Sequence, residues 1–192
     1  MTHHEFTPQE SLRLISRIIE EARERFEANG IVYVFWGVLI ALATLSQYAL
    51  IQAGYARISW YPYLIIPIGF IFNYWYFRRK QKTLPHNPIA QTTAVLWTIL
   101  GVDMIILGFL FAAELKEHLL PVLLLLQGIG MIVSGSLIKS RLLTAAGFVL
   151  NLGGFLAFMI DWQMQPLLAG ILAILCIVLP GILLTKKERR HV

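Results

Sequence analysis

Residues 119–138 read LLPVLLLLQGIGMIVSGSLI, twenty consecutive positions without a charged side chain. At about 1.5 Å of rise per residue the run is about 30 Å long, the thickness of a bilayer's hydrocarbon core. A helix that is apolar on every side needs a large core or a membrane around it. A chain of 192 residues is too small to offer such a core. Five further stretches read alike: 31–53, 61–77, 89–111, 142–160 and 166–184. Together the six predict an all-α integral membrane fold, a six-transmembrane-helix bundle.

Composition agrees. The chain is 57% hydrophobic and 14% charged, against about 45–50% and about 25% in soluble domains. Mean hydropathy is +0.68. These values exclude an ordinary soluble enzyme, a nucleic-acid-binding domain and a disordered tail. The stretches divide the chain into a segment 1–30, a transmembrane domain 31–185 and a basic tail 186–192. The five connections are too short to hold a soluble domain. The first stretch starts too late and runs too long for a cleavable signal peptide. The single cysteine, Cys176, excludes an intramolecular disulfide and a CxxC pair, and in mid-span it reads as a small core residue.

The sixteen Lys and Arg residues sort by side. Arg13, Arg17, Arg23, Arg25, then Arg78, Arg79, Lys80, Lys82, then Lys139 and Arg141, then Lys186, Lys187, Arg189 and Arg190 all fall on one side of six spans. Only Arg57 and Lys116 fall on the other. Positive charge accumulates on the cytoplasmic side, so both termini are expected there, in a multi-pass protein of the cell membrane. The net charge of +5 therefore reads as topology and not as a nucleic-acid footprint. Arg78, Arg79, Lys80 and Lys82 are candidate contacts for anionic lipid. Aromatics fit the same frame: Tyr33, Phe35 and Trp36 at one end of a span, and Trp60, Tyr61, Tyr63 and Trp162 at opposite ends.

Residues 7–30 predict a cytoplasmic amphipathic helix. Thr7-Pro8-Gln9-Glu10 has the form of a capping box with proline at the first helical position. Asn29-Gly30 supplies a stop. Leu12, Ile15, Ile19, Ala22 and Phe26 recur at three-then-four spacing and form one apolar stripe. The polar face mixes Glu with Arg, unlike the cationic face of a surface-seeking helix. The stripe is therefore expected on the chain's own bundle, on a second copy or on a cytoplasmic protein partner, ahead of the remaining alternative, the inner membrane surface.

Ser11-Leu12, Ile15 and Ile18-Ile19, followed by Tyr33 and Trp36-Gly37 at the entry to the first span, resemble a group of small uncharacterised bacterial membrane proteins. Those proteins combine an N-terminal amphipathic helix with six spans. The resemblance covers about the first fifty residues. It implies a bacterial cytoplasmic membrane and lends no activity and no site residues.

Asp103 is the one charged residue well inside a span. Eight residues separate it from the outer end of its stretch, about 12 Å. Gln127, Asn151 and Gln47, with Ser46 beside it, fall within about one helical turn of that depth. They predict a polar layer in the outer half of the bundle, provided the side chains point inward. An intramembrane aspartate is costly, which makes Asp103 a candidate to bind a cation, relay a proton or anchor a ligand. The alternative is interhelical hydrogen-bond glue, at about 0.6 kcal/mol per bond. Gly128, Gly130, Ser134, Gly135 and Gly147, Gly153, Gly154 predict close helix approach within the subunit. Pro62, Pro67, Pro166 and Pro180 are candidate kinks.

Enzyme chemistry is thin. The histidines, His3, His4, His86, His118 and His191, all lie outside the spans. That argues against haem held between membrane helices and against a Ser–His pair using Ser134 or Ser136. Glu114, Glu117 and His118 read as a solvated loop. No cofactor is expected. The leading expectation is a non-enzymatic membrane scaffold or sensor acting through its N-terminal helix. The alternative is a small transporter or channel using the Asp103 layer, and the third is an intramembrane enzyme. No inverted repeat supports a repeat-built transporter.

Overall fold

A computed structural model describes residues 12–14, 16, 30–80 and 88–188. Among the described residues every regular element is helical. The principal helices are α1 (Gly30–Gln52), α2 (Ile65–Lys80), α3 (Pro88–Phe109), α4 (Leu119–Leu137) and α5 (Arg141–Ala157). They are followed by α6 (Gln165–Ala173) and α7 (Leu179–Glu188), joined by a π segment (Ile174–Val178). Four helical runs are long and apolar enough to cross a membrane: Gly30–Gln52, Gln91–Phe109, Ala112–Leu137 and Gln165–Lys186. They mark the chain as a membrane protein. Helices α2 and α5 are shorter, at 16 and 17 residues. The stretch 61–77 opens with a 3-10 turn, Tyr61–Leu64, before α2 begins.

Neighbouring helices run antiparallel, and small residues set their spacing. On the α4–α5 pair, a Cβ built on Gly135 would lie 2.5 Å from the Thr144 backbone nitrogen, and one on Gly147 2.7 Å from that of Ile132. Only glycine permits such backbone approach. The same antiparallel order runs along α1 and the α6–α7 unit. Gly30 packs on Thr185, Gly37 on Val178, and Gly170 on Leu45. The first and last helices therefore close the bundle side by side. Met131, Leu143, Leu150 and Cys176 fill the core between these pairs.

Two helix ends close with the same hydrogen-bond pattern. At the end of α1, Tyr55 N–H donates to Leu50 O and Gly54 N–H to Ile51 O, with Gly54 at φ +84°. At the end of α4, Ser140 N–H donates to Gly135 O and Lys139 N–H to Ser136 O, with Lys139 at φ +54°. Both are Schellman motifs, whose left-handed position is usually glycine. A side chain there costs about 1 kcal/mol.

Proline placement separates the candidate kinks. Pro62, Pro67, Pro88, Pro121 and Pro166 all sit in first helical turns, where a missing N–H leaves nothing unpaired. Pro180 lies deep inside a continuous helical run, Gln165–Lys186. It offers no N–H to Cys176 O and its ring crowds that carbonyl. The wider π turn immediately before it accommodates both effects.

Candidate functional site

The polar residues predicted at one depth resolve into separate pairs. The Tyr63 hydroxyl donates to Gln47 Oε1 at 2.7 Å, tying the 3-10 turn after α1 back onto α1. Asn151 Nδ2 donates to Leu125 O at 3.1 Å, across the α4–α5 pair. Gln127 is half-buried on α4. Asp103 is exposed on α3 and has no hydrogen-bond or ion-pair partner among the described residues. No hydrogen bond among the described residues joins the four.

Asp103 lies three residues past the midpoint of the Gln91–Phe109 run, about 5 Å along the axis. Ile99, Ile106 and Leu110 share its face at helical spacing, and all are exposed. The opposite side of α3 holds Thr93, Trp97 and Leu100 against the bundle. The carboxylate therefore points away from the bundle, among apolar side chains.

A polar contact that the sequence reading missed joins three helices. Trp97 Nε1 donates to Ser134 Oγ at 2.9 Å, from α3 to α4. The Tyr33 ring of α1 meets Trp97 edge-on, with centroids 6.5 Å apart. Tyr33 is therefore core rather than belt. The signal was an indole N–H in mid-span, which needs an acceptor when buried. Ser136, the other serine considered as a nucleophile, donates to Ile132 O at 2.7 Å.

Glu114 ends up in a short helical turn, Ala112–Leu115, and His118 in a separate 3-10 turn, Lys116–His118. Lys116 breaks between them at φ +47°. His118 Nε2 lies 4.0 Å from Glu117 Oε1, both well exposed. No group of three potential metal ligands occurs among the described residues.

Of the N-terminal stripe, Leu12 is helical and exposed. Ile15, Ile19, Ala22 and Phe26 lie outside the described residues. Arg78, Arg79 and Lys80 close α2, and Lys82 lies outside the described residues. No family model, no curated protein and no solved structure matches the chain.

Proposed function

We propose that the chain is a non-enzymatic scaffold or sensor of a bacterial cytoplasmic membrane, with six spans and both termini cytoplasmic. It binds a partner's membrane helix on the Asp103 face of α3, and a cytoplasmic partner through the amphipathic helix of residues 7–30. One observation carries the reading: near the middle of an apolar helix, an exposed carboxylate has no partner among the described residues. Leaving it against lipid costs about 3 kcal/mol on insertion scales. No Lys, Arg or His lies in the six apolar stretches, so a second copy has no cation to offer at that depth. A partner helix carrying a basic side chain relieves the cost directly.

The test is a photo-crosslinking residue at Ile106, on the Asp103 face, compared with one at Phe155 on α5, in native membranes. The expected result is a defined protein adduct at Ile106 only, lost in Asp103→Leu while the purified protein melts unchanged. Lipid adducts alone at Ile106 would sink the lateral contact, and a self-adduct would replace the partner by a second copy. Ion flux in proteoliposomes abolished by Asp103→Asn would replace the scaffold by the transporter reading. Removal of residues 1–28 is expected to abolish activity in a scaffold and to leave transport intact.

A further inference from the structure

The turn between α4 and α5 borders a shallow cleft of about 430 Å³, open to its surroundings over most of its rim. Ser136, Lys139, Ser140, Arg141, Thr144 and Phe148 line it. Two cations meet there and no carboxylate does. Neither Lys139 nor Arg141 has an ion-pair partner among the described residues. Ser140, at the head of α5, makes no side-chain bond to the helix's first N–H groups. Lys139 is held in the left-handed conformation where glycine is usual.

The surface below the cleft narrows the ligand. Arg141, Ala145, Phe148, Leu152 and Phe155 recur at helical spacing on one side of α5, and all are exposed. From Arg141 to Phe155 the stripe runs about 21 Å along the axis. That covers a headgroup layer and the roughly 15 Å of hydrocarbon in one leaflet. A small free anion would use the cleft and none of the stripe.

We propose that this cleft binds the phosphate of an anionic phospholipid, with Lys139 and Arg141 on the phosphate oxygens and an acyl chain along Phe148, Leu152 and Phe155. The chemistry recognised is a phosphate monoanion or diester. The stripe assigns it to a lipid rather than to free phosphate. The site rests on the membrane embedding of the chain and not on any partner for Asp103.

The test is native mass spectrometry of the purified full-length protein in detergent, with phosphatidylglycerol, phosphatidylcholine or inorganic phosphate added. Phosphatidylglycerol is expected to stay bound in preference to phosphatidylcholine. Its affinity should fall about fivefold for each cation removed in Lys139→Gln and Arg141→Gln. Lys139→Gly guards against misfolding, because glycine suits the left-handed position. It should melt no lower than the parent and still lose about fivefold in lipid affinity. Equal retention of the two lipids, retention untouched by the substitutions, or protection by inorganic phosphate as strong as by lipid would each overturn the proposal.

Discussion

Helices α3 and α5 are both apolar, and each carries one strongly polar side chain in its second half. On α5 that side chain is absorbed: Asn151 bonds to Leu125 O, on the face where Gly147 and Gly154 meet α4. On α3 it is not. Asp103 points outward, and of the two glycines nearby, Gly101 meets Phe70 of α2 while Gly108 meets nothing. The difference teaches that small residues decide which face of an apolar helix is closed. A polar group on that face becomes packing, and one on the other face is left for something else to satisfy.

Substitutions that exchange the two behaviours test this, and the largest effect belongs to the closed face. Gly135→Ala drives a methyl into the Thr144 backbone, which has no room to yield. It should destabilise the bundle by about 3 kcal/mol, read from thermal melting in detergent. Asn151→Leu removes one interhelical bond and should lower stability by about 1 kcal/mol in the same assay. Gly108→Ala goes the other way: it meets open space and replaces a flexible helical residue, so a gain of about 0.5 kcal/mol is expected. Asp103→Leu should change the melting of the isolated protein least, by less than about 0.5 kcal/mol. A large loss of stability from Asp103→Leu would mean that the carboxylate serves the bundle after all.

Position along a helix can be counted from the sequence; direction cannot. Counting residues from the ends of apolar runs placed Asp103, Gln127, Asn151 and Gln47 at similar heights, because helical rise is fixed. Which way each points depends on rotation about the helix axis. A uniformly apolar helix offers no polar face from which to read that rotation. The helical stretches themselves were readable within a few residues, since they rest on length and composition. The small residues of α4 and α5 were readable as close packing for a steric reason that needs no direction. Lys139 and Arg141 were read only as charges marking a side. Their cleft depends on a left-handed turn at a lysine, and nothing in Ser-Leu-Ile-Lys-Ser-Arg, residues 136–141, announces it. Tyr33 and Tyr63 looked like interfacial aromatics, and the structure gives one to the core and the other to Gln47.

The seam between α1 and the α6–α7 unit has a consequence for synthesis. Gly30 rests on Thr185 and Gly37 on Val178, so α1 packs against a unit synthesised more than a hundred residues later. Ribosomes add about 5–20 residues per second, so α1 waits on the order of ten seconds for its partner. Through that interval the face carrying Gly30, Gly37 and Ala41 stays uncovered while four other helices are made. Premature attachment to the wrong helix during that wait is the hazard this order of assembly creates, and bundle closure is the step a membrane chaperone would guard.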